Sequence, residues 1–365
     1  MPDNQDSKSK EFIEYLESKK PEIDKIIEKY LPRKATQEWL KFVFGDPRYT
    51  YSPDAADAVF MKPIWNFIDR GGKRWRPVLF LLIVEAVGGD LEKVQDIVMI
   101  PEIIHNGSII VDDIEDMGEL RRNEPCLHKV FGVDVAINAG NFMYFYPLLA
   151  LIKNKDNFTC VILQKAYETY AQEMINIHLG QGTDIFWHNG KAVNIEEDEY
   201  LQMCAYKTGC LSRMSAKLAV ILSGGSDQVV EAAGRVAETM GVAFQIQDDI
   251  LDIISEGEER DKFGKVFGND IKEGKRTLMV IHTLKKASDE DKARLIGILD
   301  KHTDDIKEKE EAIAIIKKYG SVEYAQTKAK EIMGDAWQEA EKLLPESPAK
   351  KRLEEFVNFL ITRKI

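Results

Sequence analysis

The stretch Ile103 to Arg122 reads IIHNGSIIVDDIEDMGELRR, and its spacing decides the fold. Asp112, Asp113 and Asp116 stand at i, i+1 and i+4, so a helix places Asp112 and Asp116 on one face, one turn apart. Like charges at that spacing repel and call for a compensating partner. Arg121 and Arg122 follow just over a turn later, near the same end of such a helix. A second set, Gln247-Asp248-Asp249-Ile250-Leu251-Asp252, repeats the D-D-x-x-D spacing far downstream. Apolar neighbours flank both sets: Ile109, Ile110 and Val111 at the first, Ile246 and Ile250 at the second. Two carboxylate triplets in otherwise apolar helices predict facing walls that hold hard cations, since Mg²⁺ takes oxygen ligands from one or two carboxylates plus substrate phosphates and waters.

The rest of the composition bounds what such a cation-holding protein can be. The chain has 365 residues, 44% of them hydrophobic, enough for one large domain. A net charge of −12 argues against nucleic acid as the main partner. The four cysteines, Cys126, Cys160, Cys204 and Cys210, form no CxxC pair and no disulfide framework, so free thiols are expected. The first residues, MPDNQDSKSKEF, contain no apolar core of a secretory leader. No apolar run is read as reaching the ~18–20 residues of a membrane span. A cytoplasmic protein without a transmembrane segment is expected.

Working outward, apolar residues recur at helical spacing almost everywhere and strand alternation is not evident. Phe12 to Tyr30 reads as two short helices divided by Pro21, an N-terminal extension over residues 1–35. Thr36 is positioned to cap a helix through Trp39 and Leu40. Gly71-Gly72 stops a helix, and Pro77 lies in the first turn of the next. A long helix leads into the first aspartate set and ends at Asn123-Glu124-Pro125. Phe131 to Ile152 is apolar nearly all round, as a buried central helix would be. Val229 to Ile254 is one helix carrying the second aspartate set, followed by a charged loop from Ser255 to Gly274. The fold class is therefore all-α, with residues 36–365 forming one helical bundle domain around a central cavity.

Basic residues cluster beside the acidic ones. GGKRWRP (residues 71–77) places Lys73, Arg74 and Arg76 after a flexible turn, and guanidinium forks suit phosphate oxygens. It is not a Walker A loop, because no Ser or Thr follows the lysine. Glu102-x-x-His105 matches half of a di-iron bundle motif, but no second copy exists to complete it.

Taken together, GGKRWRP, HNGSIIVDDIEDMGELRR, HLGQGTDIFW, YKTG, FQIQDDILD and GKVFGNDIKEGKRT, in that order from Gly71 to Thr277, make the sequence resemble the trans-isoprenyl diphosphate synthases of the polyprenyl synthetase family. HNGSIIVDDIED and HLGQGTDIFW most resemble the eukaryotic-type geranylgeranyl diphosphate synthases. The resemblance implies an isoprenoid-synthase bundle, a homodimer, three Mg²⁺ ions with substrate bound, and two substrates: isopentenyl diphosphate and an allylic diphosphate (dimethylallyl, geranyl or farnesyl). It implies that Asp112, Asp116 and Asp248 ligate Mg²⁺, supported by Asp113, Asp249 and Asp252. Lys73, Arg76, His105 and Arg122 would bind isopentenyl diphosphate. Arg121, Lys207, Lys265 and Lys275 would grip the allylic diphosphate, and Thr208 and Gln245 would line the point where the allylic cation forms.

Product length in this family depends on what closes the apolar tunnel below the first aspartate set. Gly107 and Ser108, one turn above Asp112, are small and let a chain pass. Tyr144, Phe145 and His178 are then the expected floor, and a C20 product is expected, with C15 or C25 as alternatives. Two departures stand out: Met279 occupies a position usually held by proline, and Gln247 is of the farnesyl type. A non-catalytic partner subunit would normally lose part of an aspartate set, and both are intact. A terpene cyclase would lack the GGKRWRP element.

Overall fold

A computed structural model describes residues 3–191, 194–254 and 268–362. Helices form nearly all of it. Among the described residues the only strands are Leu120–Arg121 and Glu124–Pro125, an antiparallel two-residue pair. The core is one continuous apolar cluster running from Phe12 to Leu360.

At its centre, the helix Cys210–Leu222 packs against the helix Asp227–Ile254, against Cys160–Phe186 and against Trp75–Ala86. The helix Met99–Glu115 packs on Val133–Phe145. Hydroxyl caps fix several starts: Thr36 accepts from the Trp39 N–H, Thr159 from Ile162 and Thr277 from Val280, each satisfying an orphan donor of a first turn. The all-α expectation and the Thr36 cap hold.

Three local expectations need correction. Pro21 does not divide the N-terminal segment; Asp3–Tyr30 is one helix with Pro21 inside it. Pro21 is exposed, so the carbonyl that its ring leaves without a partner can turn to water. This helix is pinned at the other end of the chain by Phe12, whose ring lies 4.6 Å from that of Phe356. Secondly, the first aspartate helix ends at Glu115, with Asp116 at its cap, rather than at Asn123. Arg121 therefore returns to the aspartates through the hairpin, not along the helix axis, while Arg122 turns to Gly71 and Asn106. Thirdly, Phe131 to Ile152 is not buried all round: Val133, Ile137, Phe145 and Ile152 are exposed. The segment Val133–Lys153 is also long and apolar enough to cross a membrane by length and composition, contrary to the sequence reading. It is 56% buried in the protein and is interrupted by a 3₁₀ turn at Tyr146–Leu148.

Candidate active site

A cavity of about 810 Å³ opens between the aspartate helices. Ser108, Ile109, Asp112 and Glu115 line one wall, and Phe244, Gln245, Asp248 and Asp249 line another. Asp112 of the first set and Asp248 and Asp249 of the second thus face a single space, while Asp116, expected as a metal ligand, is buried beside Lys275 and does not line it. Lys207, Lys275 and Arg121 stand among them. Lys207 Nζ lies 3.2 Å from Asp112 Oδ1 and 2.5 Å from Asp184 Oδ2. Lys275 Nζ lies 3.4 Å from Asp116 Oδ2 and 2.6 Å from Glu273. Arg121 is 3.6 Å from Asp112 and 2.5 Å from Asp113.

The charges sort these groups. Burial alone would raise the Asp112 carboxyl, but Lys207, Lys275 and Arg121 together hold it well below the usual carboxylate range. Asp116 goes the other way: burial and the neighbouring Asp112 charge push it up to about 7. Burial and Asp270 likewise push Asp249 up to about 7. Negative charge therefore exceeds what the local lysines offset, and Asp116 Oδ1 and Asp113 Oδ2 are buried with no hydrogen-bond donor. Such a site suits added cations. Among the described residues, no three acidic, histidine or cysteine side chains close around a single point by themselves.

Lys207 and Thr208 reach the cavity because the chain widens into a π-turn, Ala205–Gly209, between the helices Glu197–Cys204 and Cys210–Leu222. Such a turn inserts an extra residue and re-aims its side chains. Two glycines let neighbouring helices close on it. A Cβ at Gly180 would sit 2.2 Å from the Lys207 backbone nitrogen, and one at Gly241 would sit 2.6 Å from the Gly209 Cα. Thr208 Oγ1 donates to Gln245 Oε1 at 2.9 Å, Gln245 Nε2 donates to Asp249 Oδ1 at 2.8 Å, and the buried Tyr200 hydroxyl donates to Asp249 Oδ2 at 2.8 Å. This chain of bonds joins Thr208 and Gln245 to the second aspartate set.

The cavity lining also carries a cationic group, Lys73, Arg76, His105 and Arg122. Burial brings Arg76 and Arg122 down to about 10, which leaves both charged at neutral pH. Burial and then the surrounding arginines, Arg76 first, hold His105 well below its ordinary value, so its imidazole is neutral. Arg122 donates to the Gly71 and Phe67 carbonyls and to Asn106 Oδ1, which fixes its fork.

Not every residue expected at the site is there. Asp113, next to Asp112 on the helix, points about 100° away from it; it is buried and holds Arg121 rather than facing the cavity. Asp252 accepts the backbone N–H groups of Asn269 and Asp270, anchoring the short helix Asn269–Lys272. Gly107 does not line the tunnel, because it is a close helix contact, where a Cβ would meet Met143 at 2.7 Å. Phe145 is 69% exposed and turned away from the cavity, whereas its neighbour Tyr144 lines it. Tyr144 and His178 meet edge to face, with ring centroids 5.7 Å apart. Lys265 lies outside the described residues. Glu102 bonds Arg74 and Asn106, so it is not available as a di-iron ligand.

The sequence reading also missed residues. Gln181 donates to Asp112 and Glu115, and Asp184 holds Lys207. Both lie in the HLGQGTDIFW block, three apart and so on one helical face, and that spacing was the available signal. Tyr200 gave no signal, since a single tyrosine ahead of YKTG reads as core.

An all-α bundle with aspartates from two helices facing one cavity, and with a cationic cluster in the same lining, defines a class of enzyme that handles diphosphates. Residues 57–316 match the family model described as polyprenyl synthetase. The chain is 36% identical over 311 residues to the short chain isoprenyl diphosphate synthase of Methanothermobacter thermautotrophicus, covering 85% of this chain and 92% of that protein. It is 32% identical over 280 residues to the geranylgeranyl pyrophosphate synthase of Dictyostelium discoideum, covering 77% and 87%. Archaeal and eukaryotic enzymes thus match comparably, so the likeness is not confined to the eukaryotic type. Geranylgeranyl pyrophosphate synthetase from Pyrococcus horikoshii superposes with a TM-score of 0.83 at 30% identity, covering 97% of this chain and 99% of that one. The chain belongs to the polyprenyl synthetase family and is a prenyltransferase.

Proposed function

We propose that the chain condenses isopentenyl diphosphate head to tail with allylic diphosphates and releases geranylgeranyl diphosphate, C20. The observation that carries this is the meeting of Asp112, Asp248 and Asp249 with Lys207, Lys275 and Arg121 around one cavity that Lys73, Arg76 and Arg122 also line. The names of the Dictyostelium relative and of the Pyrococcus structure support that product, and the Methanothermobacter relative is named for short-chain isoprenyl products.

The carboxylates fit Mg²⁺: they are hard oxygen donors, in excess over the lysines, with Asp116 Oδ1 left without a donor. Asp112 and Asp248 face the cavity and would hold the metal with Asp116; the proposal extends to three ions when substrate is bound. Magnesium there would neutralise the diphosphate and make it a better leaving group. Lys207, Lys275 and Arg121 grip the allylic diphosphate in a fixed array. As its C–O bond breaks, the Thr208 and Gln245 oxygens, held by their mutual bond, face the developing positive charge. Arg76, Arg122 and Lys73 hold isopentenyl diphosphate so that its double bond attacks the cation. Burial and the surrounding arginines make His105 a weak base, so the departing diphosphate takes the released proton.

Product length is read from Tyr144 and His178, the aromatic pair that lines the cavity below Ser108. Tyr144→Ala is expected to lengthen the main product by one or more isoprene units, whereas Phe145→Ala is not. Incubation with Mg²⁺, isopentenyl diphosphate and each of the C5, C10 and C15 starters, with product carbon number as readout, tests both statements. A C15 end product from the native chain would overturn the C20 assignment.

A homodimer and a cytoplasmic location belong to the same reading. Val133, Ile137, Ile175, Leu179 and Phe186 expose apolar surface on the helices Val133–Phe145 and Cys160–Phe186, which meet where Tyr170 donates to the Tyr144 carbonyl. Apolar surface shared by two helices suits an isologous interface. Sedimentation velocity is expected to give a dimer, and a monomer at assay concentration would remove this part. The four cysteines are free, three of them buried, which suits a reducing compartment.

A further inference from the structure

We propose that Asp24, on the N-terminal helix, is a positioning residue for the isopentenyl diphosphate end of the site, acting through Arg74, Glu102 and Asn106 on Arg122. This rests on the function proposed above. Asp24 Oδ1 accepts from Arg74 Nε at 2.9 Å. Arg74 Nη1 donates to Glu102 Oε1 at 3.0 Å, and Asn106 Nδ2 donates to the same oxygen at 2.9 Å. Arg122 Nη2 donates to Asn106 Oδ1 at 3.1 Å. Side chains 2% exposed at Arg74 and 4% at Glu102 carry the bonds through the interior, while Asp24 is 38% exposed.

Arg74 and Arg122 are both non-glycine residues in the left-handed backbone region, with φ of 51° and 56°. That conformation costs free energy and persists only where the surroundings fix it. At Arg74, the two carboxylates that hold its guanidinium do so, one of them contributed by the N-terminal helix. The turn beside it is equally tight: a Cβ at Gly72 would meet Arg74 Nη1 at 2.8 Å and Arg122 Nη2 at 3.5 Å. A shift of Arg74 would therefore move the turn bearing Lys73 and loosen the Arg122 fork. The same helix reaches the cavity itself, since Glu17 and Lys20 line it and Lys20 lies one turn before Asp24.

Full-length Asp24→Asn keeps the shape and removes the charge. Loss of a charge-assisted hydrogen bond weakens the hold on Arg74, so KM for isopentenyl diphosphate is expected to rise about tenfold. KM for farnesyl diphosphate and kcat should stay unchanged, and Asp24→Glu should restore the native KM. A role confined to stability would lower the melting temperature without this split. Should Asp24→Asn melt early, Glu102→Gln interrupts the same chain from inside and must raise the same KM selectively. An unchanged KM for isopentenyl diphosphate in a folded Asp24→Asn would overturn the proposal. So would a fall in that KM, which would mean that Asp24 only weakens the cationic field, and so would a parallel rise in both KM values. Native enzyme that forms no prenyl product would instead overturn the function on which the proposal rests.

Discussion

Asp112→Asn is expected to cut turnover by about a hundredfold to a thousandfold, the usual cost of removing one preorganised charge-stabilising group. The substitution keeps the shape of the side chain and deletes its charge. Asp112 is the carboxylate most firmly held ionised, set between Lys207, Arg121 and Gln181. Without its charge the first wall loses the carboxylate proposed as its main metal ligand, and Lys207 is drawn toward Asp184, 2.5 Å away. Because Asp184 still compensates the buried ammonium, the fold should survive, and circular dichroism should match the native spectrum. Steady-state assay across a Mg²⁺ series checks this, with the half-saturating Mg²⁺ concentration expected to rise. Activity within tenfold of native at ordinary Mg²⁺ would remove Asp112 from the chemistry.

Gly180→Ala is expected to lower activity by roughly a hundredfold, although residue 180 touches no substrate in this account. A methyl group there would lie 2.2 Å from the Lys207 nitrogen and 2.6 Å from the Tyr206 carbonyl carbon. These are backbone atoms, which cannot rotate away, so the π-turn itself must shift. Displacing a positioned group by about 1 Å can cost on the order of a hundredfold in rate. Overpacking of this kind also costs about 1–3 kcal/mol of stability. Thermal unfolding and turnover should therefore fall together. Gly182→Ala, two residues on in the same helix and with open space around it, should leave turnover unchanged and hold or raise the melting temperature, since alanine favours a helix interior over glycine.

Much of the site could be read from residue spacing. The i, i+4 pair Asp112 and Asp116 announced a carboxylate wall, and its repetition at Asp248 announced the second. The apolar neighbours of both sets placed them inside the protein. What spacing could not show was direction. On the helix Met99–Glu115, Asp112 meets the cavity while Asp113 turns to Arg121, and the same one-residue rotation separates Tyr144 from Phe145. Nor could it show the π-turn under Lys207, because the five residues Ala205–Gly209 look like any helical run and only the tight approach of Gly180 and Gly241 marks them. The bond chain from Asp24 to Arg122 was equally hidden, since its members are widely separated along the sequence and only folding brings them together.

Calorimetric titration of inorganic pyrophosphate into the native protein measures whether the two acidic walls capture metal and diphosphate jointly. With Mg²⁺ present, binding is expected to be tight, to vanish on adding EDTA, and to weaken strongly in Asp112→Asn and in Asp248→Asn alike. Equal affinity with and without Mg²⁺, or loss in one aspartate variant while the other binds as the native chain does, would contradict it.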